Sequence, residues 1–189
     1  MGIKELTLYA FSTENWKRPW REVQLLMTIL RRYLVRERRE IMENNVRFRA
    51  IGRIDVLPRR VQNEIRFNEE RSKSNTGMIF RLALNYGGRQ EIIDAIRRVL
   101  PLAENNPDLL NSLSEDSFRQ FLYDPEMKDP DLLIRTAGEM RVSNFLLWQI
   151  SYTELYITKT CWPDFRPEKL LEAIEVYSTR ERRFGGLKV

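Results

Sequence analysis

IRTAGEMRVSNFLLWQISYTELY, running from Ile134 to Tyr156, decides the fold class. The residues just before and within it, Asp131-Leu132-Leu133-Ile134, read as a buried strand with Arg135 at its C-terminal end. Arg141 and Ser143 then precede Asn144-Phe145-Leu146-Leu147-Trp148, whose composition predicts a short apolar helix capped by the serine. A helix N-terminus offers N–H groups to an anion. Glu154 opens the following strand, where a carboxylate can ligate a Mg²⁺ whose other ligands are phosphate oxygens. Two arginines, a capping serine and an acid could together hold a diphosphate. The same spacing also describes an ordinary N-cap with two surface arginines, and spacing alone does not choose between them.

Working outward, strands alternate with helices. Glu5-Leu6-Thr7-Leu8-Tyr9-Ala10-Phe11 reads as a buried strand, followed by the polar loop Ser12-Thr13-Glu14-Asn15-Trp16-Lys17-Arg18. Pro19 suits the first turn of a long helix in which Val23, Leu26, Met27, Leu30, Leu34 and Ile41 recur at helical spacing. Val46 to Ile51 alternates as a strand does. A helix after Pro58 turns Val61, Ile65 and Phe67 inward, and Gly77 to Leu84 supplies another strand closed by Asn85-Tyr86-Gly87-Gly88-Arg89. Further helices are expected from Gln90 to about Ala103, after Ser114, and up to about Arg183, with a strand at Leu155-Tyr156-Ile157 and a turn at Trp162-Pro163-Asp164-Phe165. This order predicts an α/β fold, one domain over residues 1–189, with a mainly parallel sheet and helices on both faces.

In such sheets ligands collect at the carboxyl ends of the strands. The loops after Phe11, Leu84 and Ile134 should open there. Asn15 offers an amide, Trp16 an indole donor and a stacking face, and Arg18 a forked donor for diphosphate oxygens. The bland alternative has Trp16 stapling the next helix and Arg18 solvated. Gly87-Gly88 alone is a structural turn rather than a phosphate loop.

Composition narrows the chemistry further. With 42% hydrophobic residues in 189, the chain can bury a sizeable core. The absence of histidine excludes Ser-His-Asp and Cys-His catalysis and an imidazole acid or base. Electrostatic catalysis by arginines, amides and a carboxylate-held metal remains, and it suits leaving groups such as diphosphate. The formal charge of +5 comes partly from Arg31, Arg32, Arg36, Arg38 and Arg39 on one helix. That run reads as a solvated face that can attract anionic lipid. No pattern of a nucleic-acid reader accompanies it. A single Cys161 allows no intrachain disulfide and fits a reducing cytoplasm, with contact at the inner face of a membrane as an added expectation.

The motifs FSTENWKRP, NYGGR, IRTAGEMRVSNFLLWQ, ELY, WPDF and RERRFGG, in this order between Gly2 and Gly186, resemble the cis-prenyltransferases, particularly the bacterial undecaprenyl diphosphate synthases. The resemblance implies head-to-tail condensation of isopentenyl diphosphate onto an allylic diphosphate such as farnesyl diphosphate, with each new double bond cis. It implies that Arg135, Arg141, Val142 and Ser143 grip isopentenyl diphosphate and that Glu154 helps hold Mg²⁺. Ser12, Thr13, Glu14, Trp16 and Arg18 would line the substrate cleft. Asn15 matches an asparagine assigned to proton removal, although a neutral amide is a poor base and orienting the diphosphate is the more chemical role. Homodimerisation is implied too, with residues 180–186 helping to complete a site near the interface.

Two departures accompany the likeness. Met1 falls just before the family's second strand, so the first strand and its Asp-Gly-Asn-Gly-Arg-Trp loop have no counterpart here. Met140 stands where many bacterial members have histidine, and a thioether is a poor Mg²⁺ ligand. The corresponding expectation is a chain that is catalytically silent alone. A competing expectation is a non-catalytic partner subunit of another prenyltransferase. An apolar tunnel would draw on Leu26, Met27, Leu30, Met78 and Phe80, although residue by residue ordinary core packing is the better reading, since Met and aromatic stripes are usually core.

Overall fold

The computed structural model describes residues 2–180, which divide into two compact units, Met1–Glu126 and Met127–Val189. In the first unit, strand β1 (Glu5–Ser12) leads through a 3-10 turn (Thr13–Lys17) into helices α1 (Trp20–Arg36) and α2 (Arg38–Glu43). Strand β2 (Arg47–Ile51), helix α3 (Arg59–Ser72), strand β3 (Ile79–Tyr86) and helices α4 (Gly88–Asn105), α5 (Asp108–Asn111) and α6 (Glu115–Phe118) follow. The sheet order is β1-β3-β2, and every pairing is parallel. The second unit holds a parallel pair, β4 (Leu132–Arg135) with β5 (Glu154–Ile157), and helix α7 (Pro167–Ser178). The α/β class with parallel strands and helices is thus observed.

Strand alternation assigns the two faces of the first sheet. Phe48 pairs with Phe80 and Ala50 with Leu82, so these side chains share a face. Together with Phe11 and Leu84 they pack under Val23, Met27 and Leu34 of α1 and Val61 and Ile65 of α3. Met27 is therefore a core residue, with Leu26, Leu30 and Phe80 packed against the same cluster.

The opposite face carries a charge cluster. Arg49 and Arg81 are cross-strand partners that share one carboxylate: Arg81 Nε donates to Asp124 Oδ2 at 2.6 Å and Arg49 Nη1 to Oδ1 at 2.7 Å. Arg81 is fully buried, and Glu5 supplies its second counter-charge. A buried cation survives only with such pairing.

The outer edge of β2 is closed by side chains of α3. Phe48 N–H donates to Ser72 Oγ at 3.0 Å and Ala50 N–H to Glu69 Oε1 at 2.9 Å, which removes donors that would otherwise invite another strand. Burial pushes the Glu69 carboxyl above its ordinary range. At the end of β2, Gly52 has φ +121 and a Cβ there would stand 2.1 Å from the Leu84 carbonyl, so only glycine fits.

Several expectations change. The helix foreseen through Ile41 breaks at Glu37, placing Ile41 on α2. Phe67 is 48% exposed because it faces outward under the Arg38 guanidinium, 4.2 Å from its ring. Helix α4 runs through Pro101 to Asn105. The apolar helix expected at residues 144–148 does not form: Ser143, Asn144 and Leu146 have φ of 49, 61 and 46, and left-handed residues cannot continue a right-handed helix. Turns occupy the segment instead. The final helix, expected to about Arg183, ends at Ser178 with Thr179 as its C-cap, and residues 181–186 of RERRFGG lie outside the described residues. Among the described residues, no helix is long and apolar enough to cross a membrane.

Candidate functional site

In the first unit the loops after β1 and β3 leave the same carboxyl edge, because the strands are parallel and Ser12 pairs with Tyr86. The β1 loop is tied down from within. Ser12 N–H donates to Asn15 Oδ1 at 2.9 Å, so the carboxamide oxygen of Asn15 is already an acceptor for its own loop. Thr13 Oγ1 donates to Glu14 Oε2 at 3.2 Å. Trp16 packs edge-on against Phe11 at 5.1 Å between ring centroids, and its indole Nε1 donates to Asn85 Oδ1 at 2.7 Å. Arg18 is not simply solvated: Nη1 pairs with Glu22 Oε1 at 2.7 Å, one helical turn on. Burial, reinforced by the charge of Glu14, pushes the Tyr9 phenol at the foot of this loop up to about 12.

Beyond Asn85 the same edge carries an ion pair that sequence reasoning missed. Arg53 clasps Asp94 with Nε at 2.7 Å and Nη2 at 2.8 Å, and Tyr123 donates its hydroxyl to Asp94 at 2.6 Å. The Arg53 guanidinium holds the Asp94 carboxyl down at about 2. Asp94, Arg53 and Tyr123 border a cavity of about 550 Å³ with Arg97 and Arg98. Their sequence separations gave no signal of this meeting.

The second unit holds the other candidates. Arg135 ends β4, where its Nη2 donates to Ser143 Oγ at 3.4 Å, a long contact, while its buried Nε has no hydrogen-bond partner among the described residues. A buried guanidinium donor left unmatched is costly and asks for an acceptor. Arg141 is exposed and pairs with Glu139, and the Val142 carbonyl accepts from Phe145 N–H at 3.1 Å. The anion-binding helix N-terminus expected here is absent, so side chains rather than a helix end are what this corner offers.

Glu154 begins β5 opposite Leu132, whereas Arg135 lies opposite Ile157. With alternating side chains, the acid and the arginine leave opposite faces of the strand pair. Arg180 Nη1 donates to Glu154 Oε2 at 2.7 Å and to the Leu155 carbonyl at 2.9 Å. No group of three or more His, Cys, Asp or Glu gathers into a metal site among the described residues. Glu154 still fits the least that Mg²⁺ asks of a protein, one carboxylate with phosphates and water supplying the rest. Met140, 83% exposed, adds no hard ligand.

The buried Arg135 Nε, without a hydrogen-bond partner among the described residues, is a donor that a phosphate oxygen would satisfy, and comparison with known proteins defines the class as the prenyl-transferring enzymes. The Prenyltransf model, that of the undecaprenyl diphosphate synthases, matches residues 1–185. An isoprenyl transferase of Fusobacterium nucleatum is 48% identical over 188 residues, all of this chain and 79% of the relative. A Micrococcus luteus relative, ditrans,polycis-undecaprenyl-diphosphate synthase ((2E,6E)-farnesyl-diphosphate specific), is 46% identical over 99% of this chain and 75% of its own length. The crystal structure of lavandulyl diphosphate synthase from Lavandula x intermedia, in complex with dimethylallyl diphosphate, superposes with a TM-score of 0.94 at 40% identity, covering 97% of this chain and 80% of that one. The chain belongs to the cis-prenyltransferase family, and its chemistry is prenyl transfer.

Proposed function

We propose that this protein condenses isopentenyl diphosphate head to tail onto an allylic diphosphate such as farnesyl diphosphate, building a long polyprenyl diphosphate of undecaprenyl type. The observation that carries the reading is the Arg135 corner, where a buried guanidinium N–H lacks a partner among the described residues, beside the Ser143 hydroxyl. Diphosphate oxygens would satisfy that donor, with Arg141, released from Glu139, and the backbone around Val142 completing the grip.

In each cycle the allylic C–O bond breaks, diphosphate leaves with the bonding electrons, and a new C–C bond forms to the terminal methylene of isopentenyl diphosphate. Loss of one isopentenyl proton then restores a double bond. The residues Ser12, Thr13, Glu14, Trp16 and Arg18 line the allylic side of the cleft. Asn15 acts there as a donor: its oxygen is engaged by Ser12 N–H, so its NH₂ is the group that faces a diphosphate and orients it. The departing diphosphate is a better proton acceptor than a neutral amide.

Two diphosphates must be held at once, and the opposite faces taken by Arg135 and Glu154 suit two contacts. Glu154 would hold Mg²⁺, which when bound neutralises phosphate oxygens as their charge develops. The same reading makes the working form a homodimer of single-domain subunits, delivering a lipid carrier precursor for the cell wall at the membrane's inner face.

The test is incubation of labelled isopentenyl diphosphate, farnesyl diphosphate and Mg²⁺ with the chain, both alone and with the family's first strand and Asp-Gly-Asn-Gly-Arg-Trp loop fused ahead of it, followed by chromatography of the extracted lipid. A polyprenyl product of undecaprenyl length supports the reading. Absence of any elongated product overturns it.

A further inference from the structure

The Trp16 indole is 38% exposed and sits on a loop, where a ring-edge contact with Phe11 leaves its rotation unset. Asn85 sets it. The acceptor Asn85 Oδ1 lies 2.7 Å from Trp16 Nε1, while Asn85 Nδ2 donates to the Arg53 carbonyl at 2.9 Å. Arg53 N–H returns a bond to the Asn85 carbonyl at 3.3 Å, and the Arg53 side chain is itself fastened to Asp94. The loop after β1 is thereby fixed to the ends of β3 and β2 through one buried side chain.

Asparagine suits this position on two counts. Its φ of 47 lies in the left-handed region, which asparagine tolerates better than most residues. Its carboxamide also accepts and donates at once, as the bonds to Trp16 and Arg53 require.

We propose that Asn85 is a positioning residue of the substrate cleft, holding the Trp16 indole, and with it the Ser12 to Arg18 loop, in the orientation that receives the allylic diphosphate. This rests on the assignment of that loop to the cleft made above. Binding then proceeds without the cost of ordering a mobile tryptophan, and Asn85 contributes to affinity without touching the ligand.

The experiment is calorimetric titration of farnesyl diphosphate into the wild-type chain, Asn85→Gly, Trp16→Phe and the double variant, alongside ¹⁵N–¹H spectra of the tryptophan indoles. Glycine keeps the left-handed backbone and removes both side-chain bonds. Each single change should weaken binding roughly tenfold, and the double variant should lose little more than either, because both remove one interaction. In Asn85→Gly the Trp16 indole proton should exchange rapidly with solvent. Asn85→Asp, which keeps the acceptor and guards against a glycine variant that does not fold, should bind more tightly than Trp16→Phe and retain the protected indole. Unchanged affinity in Asn85→Gly, or losses that multiply in the double variant, would overturn the positioning role. A wild-type chain with a protected Trp16 indole that binds no farnesyl diphosphate would instead overturn the assignment of the loop, and the proposal with it.

Discussion

Arg180 Nη1 holds Glu154 Oε2 at 2.7 Å, so the acid assigned to the cation already has a counter-charge in this chain. Mg²⁺ and Arg180 compete for that carboxylate. Glu154→Gln keeps size and loses charge, and it should reduce Mg²⁺-dependent turnover by about 10- to 100-fold while leaving the far-ultraviolet circular dichroism spectrum unchanged. Arg180→Ala should lower the Mg²⁺ concentration needed for half-maximal rate, and Met140→His should leave it equal or lower. A Mg²⁺ titration in which Glu154→Gln matches wild type removes Glu154 from the metal.

The opposite faces taken by Glu154 and Arg135 make a second prediction. In titrations with isopentenyl diphosphate alone, Glu154→Gln should bind nearly as wild type and the double variant should lose no more than Arg135→Ala, since the two groups serve different diphosphates. A Glu154→Gln variant that itself binds isopentenyl diphosphate much more weakly, with a further loss in the double variant, would show that both groups serve one bound diphosphate.

Acid should loosen the first unit through Asp94. Its carboxyl falls from the ordinary 3.8 to about 2 beside Arg53, so the folded state binds the proton less readily than the unfolded chain. That stabilisation is complete above the unfolded value and is lost as pH falls from near 4 through about 2. Asp94→Asn should lower the melting temperature at pH 7 and flatten its fall across that acid window. An unchanged acid limb would exclude Asp94 as its source.

The edge of β2 gives a stability prediction. Glu69→Leu leaves the Ala50 N–H without its acceptor, which should cost about 1–3 kcal/mol in urea unfolding and promote association through the uncovered edge. Ser72→Ala should act in the same direction at Phe48. Wild-type unfolding midpoints in both variants would contradict the edge-closing role.

Local pattern explains which of these features could be foreseen. The alternation of Val46 to Ile51 and the helical spacing of Val23, Met27 and Leu34 report directly on burial, and the strands and helices stand nearly where the patterns put them, although of the strand read as buried from Glu5 to Phe11 only Phe11 is buried while Leu6 and Ala10 are exposed. The segment at Ser143 misled because a serine before an apolar run resembles a helix cap, while a left-handed φ at a residue such as Leu146 leaves no mark in composition. Arg81 looked like one charge among many, since its partners Asp124 and Glu5 are 43 and 76 positions away. Trp16 was legible as a candidate; its anchor Asn85, 69 residues on, was not. Long-range polar pairing has no periodicity to betray it.

The most direct measurement of the central claim is calorimetric titration of isopentenyl diphosphate into the wild-type chain, Arg135→Ala and Arg135→Lys. The buried, unmatched Nε of Arg135 should find its acceptor in the diphosphate, so alanine should cost about 1.5–3 kcal/mol of binding and lysine, which lacks the planar fork, should restore only part of it. Arg141→Ala, at an exposed residue already paired with Glu139, should cost less. Equal affinity in wild type and Arg135→Ala would contradict the account, because the corner beside Ser143 would then not be where the diphosphate is held.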